Sequence, residues 1–245
     1  MEKLSRNVVR PCLALVMPVF NEQGTVRAAL DRVLRQPFVA EVIVVDDAST
    51  DSTAKILENI EDERVRVVRH HSNRGKGAAL RTGFALATAE YVGIQDADLE
   101  YNPEDLSRLV VPLETGLADV VFGSRFLTGD AHRVLLFWHS VGNKALTLFT
   151  NAIANVNLTD METCYKVFRR EWIQSIQIEE ERFGVEPELT IKLARQGARM
   201  YEVGVSYSGR NYAEGKKINW KDGLSATRCI IKYGIRKYPR MPLAP

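Results

Sequence analysis

The chain is poor in everything that marks a membrane span, a disulfide scaffold or a polyanion binder. No stretch approaches the ~18 consecutive apolar residues of a spanning helix. Met1–Arg10 carries charges but lacks the apolar core of a secretory leader, so a soluble or membrane-peripheral protein is expected. There are only three cysteines, Cys12, Cys164 and Cys229. They are widely scattered and lack metal-ligand spacing, which argues for reduced, buried thiols in a cytosolic compartment. Thirty-three basic residues stand against 31 acidic ones, a net charge of +2. That balance gives no reason to expect nucleic acid or an acidic partner. No repeat, low-complexity tract or Gly/Pro/Ser-rich linker interrupts the 245 residues.

What is present is a regular order of apolar runs and helical patterns. Leu13–Met17 precedes Pro18 and a helical pattern from about Glu22 to Arg35. Val42–Val45 ends in Asp46-Asp47 and leads to a helix near Ser52–Ile60. Val65–Val68 is followed by a helix over Gly77–Ala87, and Tyr91–Gln95 by a helix opening at Asn102-Pro103. Asp119–Phe122 reads as a fifth strand. Near-continuous apolar strands alternating with amphipathic helices predict one α/β domain, a Rossmann-like, mainly parallel sheet with helices on both faces. Right-handed crossovers then bring Pro18–Glu22, Asp46–Thr50, Asp96–Glu100 and Gly123–Phe126 to one edge of that sheet.

The residues at that edge carry the chemistry. Asp96-Ala97-Asp98, with Glu100 next, delivers carboxylates to a strand tip, where substrates collect in open α/β folds. Hard carboxylate oxygens suit Mg²⁺ or Mn²⁺ beside a diphosphate, although a turn or cap uses the same residues. Asn21 could simply cap a helix. Of Asp46 and Asp47, whose side chains point to opposite sides, one is expected to face a ligand. Asn73-Arg74-Gly75-Lys76-Gly77 fails the G-x-x-x-x-G-K-S/T template because Ala78 follows the second glycine. Lys76 at a helix start can still attract phosphate. A glycine-softened, solvated loop is the other reading.

Pro18-x-Phe20-Asn21-Glu22, Val45-Asp46-Asp47-x-Ser49, Asn73-x-Gly75-Lys76-Gly77, Asp96-Ala97-Asp98-Leu99 and Gly123-Ser124-Arg125-Phe126 together resemble inverting family-two glycosyltransferases of GT-A fold. Among these, the chain is most similar to the dolichyl-phosphate mannose synthase group, which acts on polyprenyl phosphates. The resemblance continues through Asp160–Lys166, Glu186-Pro187-Glu188 and Arg210-x-Tyr212-x-x-Gly215-Lys216. It implies a catalytic domain over residues 1–225, with 226–245 as a basic C-terminal helix or tail. It implies nucleotide contacts from Pro18, Phe20, Glu22, Val45 and Asp47, and diphosphate and metal contacts from Asp96, Ala97, Asp98 and Glu100. Arg125, Arg210 and Lys216 are implied as phosphate ligands. The last two, six apart in a Gly-containing loop, are expected to close over the diphosphate as a lid, with a solvated loop as the other reading. Phe20 stands where Tyr is frequent and Glu100 where Gln is frequent, which leaves the nucleotide and metal preference open.

Such chemistry suits the scarcity of histidine. Only His70, His71, His132 and His139 occur. A lipid phosphate with a second pKa of about 6 is itself a nucleophile at neutral pH and needs no general base. Catalysis then rests on Asp98, Arg125 and positioning. Arg133, His139 and Ser140 are candidate acceptor contacts. The segment 134–156 keeps Val134, Trp138, Val141, Ala145, Leu148, Phe149, Ala152 and Val156 on one helical face. It predicts either a helix packed on the core or an interfacial helix at a membrane surface. Basic residues between Arg228 and Arg240 could add attraction to anionic lipid. The expected location is cytoplasmic and peripheral, with a separate membrane subunit as a further partner. A hydroxyl acceptor with Glu186 or Glu188 as base is the alternative transferase. A dehalogenase-like phosphatase would want Asp-x-Asp on its first strand. A non-catalytic nucleotide-sugar binder at the membrane surface is the third alternative.

Overall fold

Apolar, β-branched segments form the centre of the molecule because they can be buried on both faces. The computed structural model describes residues 10–127, 133–134, 136–209 and 220–241. Seven strands form one sheet in the order β3-β2-β1-β4-β6-β5-β7. They are β1 (Leu13–Val19), β2 (Val39–Asp46), β3 (Val65–Arg69), β4 (Tyr91–Ile94), β5 (Val120–Ser124), β6 (Lys166–Arg169) and β7 (Met200–Gly204). β1 to β4 pair in parallel, as β5 does with β7. β6 runs antiparallel to both its neighbours, β4 and β5.

The antiparallel β6 matters for placement. With β6 reversed against each, β4 and β5 run in the same direction, so Ser124 leaves the sheet at the edge where Ile94 does. Register completes the alignment: Val19 lies opposite Asp46, and Val16 opposite Ile94. The four expected loops therefore share one edge. The same edge concentrates backbone strain. Asn21, Ala48 and Leu99 all adopt left-handed φ values, 53°, 60° and 65°, in three of its loops. Left-handed conformations are costly for Ala and Leu, and cluster at functional sites.

The helices are α1 (Val26–Leu34), α2 (Thr53–Glu58), α3 (Lys76–Leu86), α4 (Leu106–Glu114), α5 (Phe137–Ala154), α6 (Arg170–Ser175), α7 (Val185–Gln196) and α8 (Trp220–Gly234). α3 packs on β1 and β2, and α4 on β5 and β6. α5, α7 and α8 pack together over Ala154, Met161, Ile191, Cys229, Ile230 and Tyr233. The expected boundary at residue 225 falls inside α8. All three cysteines are buried and free.

Two expectations are corrected here. α1 starts at Val26, not near Glu22, and Asn21 caps nothing. Its amide side chain instead accepts from the Thr50 N–H at 2.8 Å, while its own N–H donates to Ser49 Oγ at 3.0 Å. The β1 and β2 exit loops are thereby zipped together. Glycines 75 and 77 are not softening a solvated loop either. A Cβ on Gly77 would lie 2.1 Å from the Glu180 carbonyl oxygen, and one on Gly75 2.4 Å from that of Glu181. Only glycine admits this close approach.

Candidate active site

The crevice at the sheet edge is built loop by loop. Pro18 pairs in register with Val45, and Phe20 is exposed beside them. Thr25 Oγ1 donates to Glu22 Oε2 at 2.8 Å, which fixes Glu22 at the mouth. Asp46 and Asp47 are both buried. Asp46 accepts from the Ser49 N–H, and its other oxygen lies 3.2 Å from Arg69. Asp47 is an anchor for the next loop. It receives the N–H groups of Arg74 and Gly75, the latter at 2.6 Å, and sits 2.7 Å from His70 Nδ1. His70 Nε2 is in turn 3.0 Å from Thr82 Oγ1 on α3. The expectation that one of the two carboxylates turns to a ligand thus meets two carboxylates engaged inside the protein. His70 gave no signal in the sequence, since a histidine's partner there is 23 residues away.

That loop ends at Lys76, whose ammonium bridges Asp96 at 3.2 Å and Glu186 at 3.3 Å. Burial alone would lower the Lys76 pKa, but the Asp96 and Glu186 charges outweigh it and raise it well above its ordinary value. Ala97 is buried. Asp98 Oδ1 accepts from the Glu100 N–H at 3.1 Å, and the Tyr207 hydroxyl donates to Glu100 Oε2 at 2.7 Å. Among the described residues no three His, Cys, Asp or Glu side chains form a ready metal cage. The donor set still fits Mg²⁺ or Mn²⁺, which take one or two carboxylates and complete their shell with substrate phosphates and water.

On the far side of the crevice stands Arg125. Its Nε and Nη2 donate to Asp160 at 2.6 and 2.7 Å, and its backbone N–H donates to the same carboxylate. Asn143 of α5 donates to Asp160 at 2.9 Å, and the guanidinium lies 5.1 Å from the centre of the Tyr207 ring. Burial opposes both charges, yet the Arg125 pKa is raised and that of Asp160 lowered, because each stabilises the other. Asn143, Asp160 and Tyr207 surround Arg125 in contacts to which sequence reasoning gave no role.

His139 and Ser140 lie one turn before Asn143, on the face of α5 that leads to Arg125. Arg133, just before α5, is exposed. Arg210 and Lys216, with the lid assigned to them, lie outside the described residues, as does His132. Glu188 is a structural residue. It is fully buried, 2.6 Å from Lys192, and accepts the N–H groups of Glu179 and Glu180. Of the two proposed bases, only Glu186 borders the crevice.

α5 is inverted relative to a core helix. Its polar face turns inward: Asn151 exchanges two hydrogen bonds with Leu158, and Met161 N–H donates to Thr147 Oγ1. Its apolar face turns outward, with Trp138 79% and Leu148 70% exposed and Phe137 and Val141 beside them. The helix packs on α7 and α8 through Leu146, Ile153 and Ala154, while most of the apolar face expected from the sequence points outward. Leu224, Ile231 and Ile235, on and just past the neighbouring α8, are exposed as well. The basic tail is partly spent on internal pairs, Lys232 with Glu180 at 2.7 Å and Arg236 with Glu179 at 2.8 Å.

An open α/β sheet with carboxylates on one strand tip, a buried cation on another and strained loops between has the make-up of a ligand-binding crevice. The chain belongs to the glycosyl transferase family 2, whose model matches residues 14–177, and it is a glycosyltransferase. It is 29% identical over 215 residues to an undecaprenyl-phosphate mannosyltransferase of Micrococcus luteus, covering 82% of this chain and 85% of that one. It is 26% identical to a polyprenol monophosphomannose synthase of Mycolicibacterium smegmatis, covering 91% and 86%. Its fold is that of glucosyl-3-phosphoglycerate synthase from Mycobacterium tuberculosis, solved with Mn²⁺, UDP-glucose and phosphoglyceric acid. That match has a TM-score of 0.71 at 20% identity and covers 94% of this chain and 88% of the other. The GT-A architecture is thus established.

Proposed function

We propose that the enzyme moves a sugar from a nucleotide diphosphate to a polyprenyl phosphate presented at the cytoplasmic face of a membrane, with inversion. One observation carries the reading. The buried Arg125–Asp160 pair sits beside the first turns of a helix whose outward face is apolar and aromatic-led. A phosphate head held at Arg125 would leave its hydrocarbon tail against Phe137, Trp138 and the apolar face beyond. No helix among the described residues is long and apolar enough to cross a membrane, so contact through this face is the mode proposed. The names of the two curated relatives support the same acceptor class.

In this mechanism a phosphate oxygen of the acceptor attacks the anomeric carbon. The bond from that carbon to the donor's diphosphate oxygen breaks, and nucleoside diphosphate leaves with the electron pair. No proton needs to be abstracted, because the acceptor phosphate is largely dianionic. Pro18, Phe20, Glu22, Val45 and Asp47 form the nucleotide end, Lys76 faces the diphosphate, and Arg125 aligns the nucleophile with Arg133, His139 and Ser140 near its head group. Arg210 and Lys216 are proposed to complete the diphosphate clamp. A divalent ion, Mg²⁺ or Mn²⁺, would be held by Asp96 and Asp98 with Glu100 assisting, and would neutralise charge on the leaving group.

Asp98→Ala should lower turnover at least ~10²-fold, the size of one lost electrostatic contribution. Its circular dichroism should be unchanged. Full activity of that variant in the presence of chelator would contradict the metal assignment.

A further inference from the structure

Tyr207 touches both the Glu100 loop and Arg125, and no step above gives it a role. It follows β7 in a stretch pinned at three consecutive residues. The Ser206 N–H donates to Asp105 at 2.7 Å, Tyr207 forms a β-bridge with Tyr101, and the Ser208 N–H donates to the Glu100 carbonyl at 2.8 Å. The half-buried side chain is equally fixed. Its hydroxyl donates to Glu100 Oε2 at 2.7 Å, and its ring centre lies 5.1 Å from the Arg125 guanidinium and 5.0 Å from the Tyr101 ring. Tyr101 in turn stacks on Tyr165 at 4.5 Å, and the Tyr165 hydroxyl donates to Gln95 Oε1 at 2.7 Å. Gln95 closes the row by donating to the Asp96 carbonyl at 2.9 Å. Both ends of the Asp96–Glu100 loop are thus tied to one row of three tyrosine rings.

The loop needs such support. Leu99 holds a left-handed φ of 65°, and around that turn Asp98 Oδ1 accepts the Glu100 N–H at 3.1 Å. Strain of this kind persists only where the surroundings over-determine the backbone. Glu100 also has a long side chain, whose rotamer freedom would be lost on meeting a ligand.

We infer that Tyr207 is a positioning residue for the metal, which it serves by holding the Glu100 carboxylate in place before the ion arrives. The inference rests on the proposed function, which puts Glu100 beside that ion. The donated hydrogen bond occupies Oε2 and sets the side-chain torsions, so less freedom is lost on binding. The ring cannot easily swing away, because it is held against Tyr101 and Arg125. A neutral donor suits the task better than a cation. Lysine or arginine there would neutralise Glu100 and compete with the metal, whereas a phenol leaves the charge in place. Burial first, then the Glu100 charge, raises the Tyr207 pKa against the pull of Arg125, so the hydroxyl keeps its proton and stays a donor.

The test is Mn²⁺ binding in the presence of excess UDP and, separately, GDP, without donor sugar or acceptor. The free ion is read by electron paramagnetic resonance. Tyr207→Phe keeps the ring against Tyr101 and Arg125 and removes only the hydroxyl. It should weaken Mn²⁺ binding about tenfold, the lower end of what losing a hydrogen bond to a metal ligand costs. Glu100→Ala should weaken it at least as much. Adding Tyr207→Phe to Glu100→Ala should then change it by no more than about twofold, because the hydroxyl has no ligand left to hold. A general loosening of the loop would instead weaken binding in both backgrounds. Unchanged affinity in Tyr207→Phe or in Glu100→Ala, or a further tenfold loss in the double variant, would overturn the inference while leaving sugar transfer as proposed. If wild type holds no Mn²⁺ with either nucleotide, the metal assignment of the proposed function fails and the inference with it.

Discussion

Arg125 and Asp160 form a nearly dry ion pair, in which removing one partner strands the other. Breaking such a pair costs ~3–5 kcal/mol, whereas replacing both with apolar residues is often neutral. Asp160→Ala should therefore lower both unfolding stability and sugar transfer. The double variant Arg125→Met/Asp160→Leu should recover most of the stability and none of the transfer. Chemical denaturation and a transfer assay on the three proteins check this; recovery of transfer in the double variant would remove Arg125 from the chemistry. At this scale the sequence was legible in part. The carboxylates at strand tips stood out because Asp-x-Asp is local. Asp160 was visible only as a letter in a longer resemblance, since its partner is 35 residues away. Asp47, proposed for the nucleotide end, also holds the Arg74–Gly75 backbone with its carboxylate, a use that spacing cannot reveal.

Among the elements, β1, β2 and β4 are readable from apolar runs because buried parallel strands tolerate little else, and β3 from its valines although it is a half-exposed edge strand. β6 and β7 are not, since Lys166-Val-Phe-Arg169 is short and charged at both ends and Met200–Gly204 is half-buried at the sheet edge. α5 was found by periodicity, but periodicity gives two faces without saying which is inside. The hydrogen bonds of Asn143, Thr147 and Asn151 decide it. Because Phe137 and Trp138 are largely exposed, replacing both with serine should change stability by no more than ~0.5 kcal/mol. The same change should weaken binding to vesicles containing anionic lipid and raise the KM for long-chain acceptor. Sedimentation with liposomes and a melting curve measure the two effects. A stability loss of several kcal/mol would mean that the helix packs through this face. Unchanged liposome binding would remove this face from the membrane contact.

For the whole molecule, the architecture brings two buried ion pairs to a single crevice, Lys76 with Asp96 and Arg125 with Asp160, with an apolar surface beginning beside the second, and the proposed function gives each end a phosphate to hold. The order of strands and helices made the shared edge predictable, whereas the reversal of β6 that keeps Ser124 on it came only from the structure. The acceptor is the central claim, and transfer measured side by side tests it most directly. Wild-type enzyme with Mg²⁺ or Mn²⁺ is offered labelled UDP-glucose and GDP-mannose, with either a polyprenyl phosphate in detergent or a panel of free sugars. The account predicts that label moves into an organic-extractable polyprenyl-phosphate sugar and not into the soluble sugars. Ready glycosylation of a soluble hydroxyl, with every polyprenyl phosphate ignored, would contradict it.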